Sequence, residues 1–472
     1  MSKQNVREYF DKFAAARDSW RKKNSYYHHD IKNFLRYLVP AGVSVLEIGC
    51  ATGDITDHLA AANPQIAGMD LSPAMIKQAQ NKYPRLNFFV ADVENLAVPE
   101  KYDYLIMSDV VGYLDDLQTA FRQLLTCSHP TTKLIVTTYN YLWEPILRLG
   151  EILKIKMPHP MENWLSGADL EQFLYLSGWE VVKEGKRLLF PTNVPLLAEF
   201  LNRYLAKLPF FRNLCLVNYF IARPIPLRKN DPSKHSVSVV IPARNERGNI
   251  EAAVRRTPEL GAGTEIIFVE GNSTDDTWSE IERVRAAYPQ KKIKIMKQDG
   301  RGKGDAVRKG FDAASGEILM ILDADLTVLP EDLPKFYEAI VRGDGEFING
   351  SRLVYPMEEK SMRLLNVLGN KFFSSMFSWL LDQRLKDTLC GTKVLWRNDY
   401  AKIKAGRKFF GDFDPFGDYD LIFGAAKLNL KIIDLPIHYQ ARTYGETNIS
   451  RFRHGWLLLR MCLFAMKKIK FV

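Results

Sequence analysis

Between Ser44 and about Val136, short apolar runs alternate with longer stretches whose apolar positions recur at helical spacing. The runs are "VSVLEIG", "QIAGMD", "LNFFVAD", "YDYLIMSD" and "KLIVTTY". Strands alternating with amphipathic helices predict a parallel sheet with helices on both faces. A Pro-broken, aromatic-rich region follows, including "SGADLEQFLYLSGWEVV" and "PTNVPLLAEFLNRYLAKLPFFRNLCLVNYFIARP". For its segment "PLLAEFLNRYLAKLPFF" the expectation is packing in a core or between domains. Then "IPLRKNDPSKHS", polar and basic with two prolines, reads as a linker.

The rhythm restarts at Ser236 with "HSVSVVIPARNE", "TEIIFVEGNSTDDT", "KKIKIMKQD" and "EILMILDADL". The pattern therefore predicts an α/β chain of two doubly wound domains. Their expected bounds are residues 1–225 and 234–450, joined by a linker at 226–233 and followed by a basic amphipathic helix at 451–472.

A length of 472 residues suits two or three domains, and 46% apolar residues suffice for a core in each half. The net charge of +10 favours an anionic partner such as phosphate or an acidic membrane surface. Nucleic acid is not expected, because the basic residues are not interleaved with aromatics along one element. Cys50, Cys127, Cys215, Cys390 and Cys462 are widely spaced with no C-x-x-C pair, which indicates neither a zinc site nor a disulfide framework. That usage fits a reducing cytosol. The stretch "MSKQNVREYFDKF" lacks the apolar centre of a signal peptide. No apolar run reaches the ~18 residues of a spanning helix.

In "LEIGCATGD", Gly49, Ala51 and Gly53 lie between a strand and a helix. Small residues there let the backbone approach a ligand and leave helix N-terminal amides free. The next strand ends on Asp70, which can accept hydrogen bonds from both hydroxyls of a ribose. The third ends at Asp92, placed for an adenine amino group. Three ordered strand ends, Glu47 ahead of "GCATG", and "SDVVGYLDDL" after the fourth strand resemble a class I S-adenosylmethionine-dependent methyltransferase over about residues 25–225. The resemblance implies that Glu47, Gly49, Ala51 and Gly53 surround the methionine part of the cofactor. It puts Asp70 and Leu71 at the ribose, Asp92 and Val93 at the adenine, and Asp109 on the methyl-transfer face. Ala51 departs from the family's middle glycine. Asp109 could instead cap the following helix. His28 or His29 of "YYHHD" lies where an N-terminal helix would cover the cofactor and is a candidate base.

The second half ends its strands on acids. "PARNE" offers Pro242, Arg244 and Glu246; "EGNSTDDT" offers Glu270 and Asn272; "GRGKGDAVRKG" offers Lys303; and "DAD" is Asp323, Ala324 and Asp325. Acids at strand ends can hold a base and ribose, and paired carboxylates suit Mg2+ or Mn2+ bridging a diphosphate. Taken alone, the pair Asp323 and Asp325 could equally be a cap or a solvent turn. Together with "DTLCGTKV" and "YGETNISRFRHG", the ordered motifs resemble a family 2 glycosyltransferase of the GT-A fold, of the dolichyl-phosphate mannose synthase type. The resemblance implies that Pro242, Arg244, Glu246, Glu270 and Asn272 surround the nucleoside of a nucleotide sugar. Asp323 and Asp325 would serve metal and diphosphate, with Ala324 between them and Lys303 on phosphate. Asp420 would stand near the acceptor, and Arg442 would face the diphosphate or the acceptor phosphate. For Asp418 a cap and a functional role remain open.

A polyprenyl phosphate acceptor is already an anion and needs placement more than a base. "SMRLLNVLGNKFFSSMFSWLL" and the tail "RFRHGWLLLRMCLFAMKKIKFV", with six Lys or Arg and no acid, suit that partner. The tail is expected to lie in the headgroup region of the inner membrane face, or else to be a buried helix with a solvated basic end. Two further readings stand: an N-terminal half that only binds or scaffolds, and a glycosyltransferase with a non-lipid acceptor.

Overall fold

The computed structural model describes residues 3–158, 163–226, 231–352, 364–409, 419–440, 442, 444 and 451–471. The chain forms two compact units, Met1–Ile225 with Phe471–Val472, and Pro226–Lys470.

The first unit holds β1 (Val45–Ile48), β2 (Ile66–Asp70), β3 (Asn87–Val90), β4 (Tyr102–Ser108), β5 (Ser128–Tyr139), β6 (Trp179–Arg187) and β7 (Val217–Pro224). Their order is β3-β2-β1-β4-β5-β7-β6. The five strands expected from the apolar runs are parallel, with Val45 level with Ile66 on one side and Tyr104 on the other. Successive residues feed opposite faces: Leu46, Met69 and Leu105 pack on one side, Val45, Ile66 and Ile106 on the other. The sheet is nevertheless mixed. β7 runs antiparallel to β5 and β6, inside the region that reads only as Pro-broken and aromatic-rich. The seven residues "VNYFIAR" of β7 are all buried, Asn218 and Arg223 included, and a strand buried on both faces has no apolar–polar alternation to announce it.

The second unit holds β8 (Val237–Ala243), β9 (Thr264–Glu270), β10 (Lys292–Lys297), β11 (Ile318–Ile321), β12 (Phe347–Ser351), β13 (Lys393–Trp396) and β14 (Ile432–Pro436). Their order is β10-β9-β8-β11-β13-β12-β14. β8 to β11 are parallel, and β13 is antiparallel to both β11 and β12. In each unit the strand order reverses beside the first strand, between β1 and β4 and between β8 and β11. The crevice at that reversal, outside the carboxyl ends of the strands, is where ligands bind in open α/β sheets.

The tail forms a helix, Arg451–Ala465. Leu458, Met461, Cys462 and Ala465 share one face at helical spacing and are buried in the core of the second unit. Of the two expectations for the tail, a helix buried along one face is the one observed, while Trp456 and Leu463 remain exposed. Among the described residues no helix is long and apolar enough to cross a membrane. All five cysteines are free and buried.

Candidate active sites

In the first unit the loop after β1 closes over a cavity of about 450 Å3. Gly49, Ala51, Leu71 and Val93 line it, with Glu47, Asp70, Asp92 and Asp109 among its polar walls. Asp70 braces the loop: one carboxylate oxygen accepts the Ala51 N–H at 2.9 Å and the other the Ser72 N–H at 2.9 Å. Desolvation raises its pKa against these bonds. Ala51 adopts φ 46°, the left-handed conformation a glycine would take at less strain. Gly53 stands apart from the cavity lining. It takes φ 82° to start the helix Asp54–Ala60, and a Cβ there would run into the Phe88 ring.

Glu47 is buried in β1 and accepts a hydrogen bond from the Thr56 hydroxyl. Burial pushes its carboxyl up to about 7. Asp92 accepts the Lys3 ammonium at 2.7 Å and the Glu94 N–H at 2.9 Å, so the helix Lys3–Phe13 is tied to the end of β3. Asp109 caps no helix. It sits at φ 56° and accepts the Tyr27 hydroxyl and, at 3.2 Å, the Thr137 hydroxyl.

Helices Arg17–Lys23 and Ser25–Leu38 supply a further part of the wall: Arg17, Trp20, Arg21, Tyr27, His28 and Lys32. Of the two candidate histidines, His28 lines the cavity, whereas His29 is exposed and bonded to Asn33 at 2.9 Å. Desolvation and the neighbouring Arg17, Arg21 and Lys32 push His28 down to about 3. The cationic wall and Tyr27 are absent from the sequence-based candidates. The basic run "RDSWRKK" beside "YYHHD" is the signal that could have found them. Arg21 and Lys32 converge on Asp54, the first residue after the glycine loop.

In the second unit the acids after β8 and β11 meet two cations. Arg442 donates to Asp325 at 2.7 Å and to Glu246 at 3.1 Å. Lys303, at the start of the helix Lys303–Ala313, stands 2.5 Å from Asp323. Desolvation alone would raise Asp323, but Lys303, with Lys393 and Arg352 behind it, outweighs that and holds the carboxyl below its ordinary value. Burial pushes Glu246 up even against Arg442. Asp325 also accepts the Thr327 N–H and hydroxyl, at 3.2 and 2.9 Å. Gly391 of "DTLCGTKV" packs on this cluster so closely that a Cβ would overlap both Asp323 Oδ2 and Lys303 Nζ.

Around it, Pro242 lies in β8 and Arg244 is exposed just beyond its end. Glu270 ends β9 and accepts the Ser273 N–H at 2.5 Å. Asn272 takes φ 56°, and Ala324 is buried between the two acids. Asp420 is paired with Arg407 at 3.1 Å and lies 3.8 Å from Arg308. Asp418 and the stretch after Tyr444 in "YGETNISRFRHG" as far as Ser450 lie outside the described residues.

The residues present fit a divalent ion. Asp323 and Asp325 offer hard carboxylate oxygens, and Mg2+ is commonly held by one or two carboxylates with substrate phosphates and water. Among the described residues no three His, Cys, Asp or Glu form a closed metal cage, so the remaining ligands would have to come from substrate and solvent.

Residues 238–401 match the family model "Glycosyl transferase family 2", and residues 19–184 match "Methyltransferase domain". The chain is 41% identical over 120 residues to a dolichol-phosphate mannosyltransferase of Pyrococcus furiosus, covering 25% of this chain and 33% of that protein. It is 31% identical over 227 residues to an undecaprenyl-phosphate 4-deoxy-4-formamido-L-arabinose transferase of an Enterobacter species, covering 46% of this chain and 64% of that one. A putative methyltransferase, 235L, of Invertebrate iridescent virus 6 is 27% identical over 149 residues, covering 31% and 54%. In every case the chain spans less than two thirds of the relative's own length.

Proposed function

From a chain that carries a family 2 glycosyltransferase domain and a methyltransferase domain, we infer a bifunctional transferase acting on lipid-linked glycans. The C-terminal domain moves a sugar from a nucleotide-diphosphate sugar to a polyprenyl phosphate. The N-terminal domain moves a methyl group from S-adenosylmethionine to a glycan or lipid-linked acceptor.

The observation that carries the first activity is the convergence of Glu246, Asp323 and Asp325 with Arg442 and Lys303 at the strand-order reversal. The relatives whose names specify dolichol phosphate and undecaprenyl phosphate support a lipid phosphate acceptor. In this reading Glu246, Glu270 and Asn272 hold the nucleoside, with Pro242 and Arg244 beside them. A phosphate oxygen of the acceptor attacks the anomeric carbon as the bond to the diphosphate breaks, with inversion. Lys303 and Arg442 then exchange carboxylate partners for phosphate oxygens and stabilise the departing charge. A divalent ion held by Asp323 and Asp325 would add Lewis-acid neutralisation of that diphosphate. Asp420, held by Arg407, lines the acceptor side.

For methyl transfer, Asp70 and Leu71 bind the ribose, and Asp92 with Val93 binds the adenine. Tyr27 and Asp109 orient the reacting face. His28 stays neutral beside them, but a ring pushed down to about 3 is too weak a base to hold the acceptor's proton, so the site suits an acceptor that is already ionised. The bound chain would work at the cytoplasmic face of the membrane.

The test is incubation with a panel of sugar nucleotides, a polyprenyl phosphate and Mn2+, with the lipid product identified by mass. A glycosyl polyprenyl phosphate that Asp325→Ala abolishes is expected. Product from a soluble acceptor alone would overturn the lipid assignment.

A further inference from the structure

The first unit keeps a large apolar face in contact with water. The helix Glu144–Ile152 buries none of its residues. Ile146, Leu149 and Ile152 recur along it at three-residue spacing, and all are exposed, Ile152 by 77%. A second exposed cluster lies in 194–214, where Leu196 is 86% and Phe210 74% exposed. The two meet: Trp143 Nε1 donates to the Leu214 carbonyl at 2.8 Å, and Asn140 Nδ2 to the Asn213 carbonyl at 3.1 Å. Isolated exposed leucines are ordinary, but contiguous apolar faces of this kind mark contact surfaces.

Two features decide what covers it. First, the face is the rim of the cavity: Ile146, Leu149, Leu153 and Ile155 are exposed and also line the cavity that Asp70 and Asp109 wall. A protein seated there would plug the entrance, whereas a fluid lipid layer can pass its own molecules through it. An interior walled by both acids and bases behind an apolar mouth matches an amphiphile, polar head inward and chain on the rim. Second, the charge is right. Segments 141–156 and 194–214 hold six Lys or Arg against three Glu, and basic residues flanking an apolar face favour anionic lipid.

We propose that the methyltransferase unit docks on an anionic lipid surface through this face and draws its methyl acceptor, an amphiphile, from that surface. The docking stands on the face alone; the acceptor class rests on the methyltransferase reading.

The test is flotation of the full chain with phosphatidylcholine vesicles, with and without phosphatidylglycerol, alongside Ile152→Glu/Phe210→Glu. Neither side chain lines the cavity or supports the core, so both proteins should fold alike. The wild type should float with the phosphatidylglycerol vesicles, less so in high salt. The double variant should lose at least about tenfold in partition. Equal flotation of the two proteins, or none of the wild type, overturns the docking. Hydrogen exchange at 144–155 discriminates the other occupants. Protection without vesicles overturns the proposal, through the chain's own second unit if it is independent of concentration, or through a second copy if it grows with concentration. Calorimetry with S-adenosylmethionine should give the same heat for both proteins. No heat from either would sink the methyltransferase reading and with it the acceptor class, while flotation still decides the docking.

Discussion

Arg442 Nη2 stands 2.7 Å from Asp325 Oδ2, across 117 residues of chain. Its Nη1 reaches Glu246 at 3.1 Å. One planar fork thus joins the acid beyond β11 to the acid beyond β8. A lysine carries the charge but not the fork. Arg442→Lys should therefore lower kcat/KM for sugar transfer by about 10–100-fold, the range of one lost charge-assisted bond. The lipid-product assay reads this, and a rate close to wild type would remove Arg442 from the phosphate-binding role.

Gly391 tests the neighbouring pair. A methyl group there has no room beside Asp323 and Lys303. Gly391→Ala should separate the two charges and cut sugar transfer by at least about 100-fold, with the circular dichroism spectrum unchanged. Retained activity would mean that the Lys303–Asp323 contact is not needed for turnover.

Asp70 accepts one backbone N–H from the glycine loop, that of Ala51, and one from Ser72 just beyond its own strand. Hydrogen bonds to a charged acceptor contribute about 1.5–3 kcal/mol each. Asp70→Ala should weaken S-adenosylmethionine by about 10–150-fold in calorimetry. The C-terminal activity should be untouched. Unchanged affinity would take Asp70 out of the cofactor site.

The first unit should carry two opposed pH dependences. His28 is depressed to about 3. Its contribution to stability is full above the ordinary histidine value and is lost as pH falls from about 6.5 toward 3. Glu47 is raised to about 7. Its contribution is full below the ordinary value near 4.5 and is lost as pH rises through 7. Between those limits the slopes, each on the order of 1 kcal/mol per pH unit, oppose one another. Relative to wild type, His28→Gln should therefore gain stability as pH is lowered from about 6.5 to 5. Glu47→Gln should gain as pH is raised from about 5 to 7. Urea midpoints of the two variants at both pH values check this. A wild-type slope in His28→Gln would mean that the ring is not held neutral.

Much of this was legible along the chain because parallel strands announce themselves. Each is a short apolar run that ends where the backbone leaves the sheet, so "LEIGCATGD" and "ILDADLT" marked both sites. Local chemistry also carried over: the acid at the end of β2 does sit at the glycine loop, as Asp70. What could not be read is what depends on partners far along the chain. For Asp109 a cap stayed open as an alternative until Tyr27, 82 residues earlier, donated to it. That Gly53 must lack a side chain was not legible, because the Phe88 ring that fills the space comes from a later strand. The tail read as either a headgroup helix or a buried one until its Leu458–Ala465 face found the core of the second unit. Arg442 and Lys303 were candidates for phosphate, but only folding set them against Asp325 and Asp323. The sequence by itself determined two sheets and the strand ends that carry chemistry, because periodicity and turn residues act over a few positions. Tertiary structure alone decided which charges face one another and which apolar faces stay bare, because both are settled by what packs across the sheet, and no local pattern encodes that.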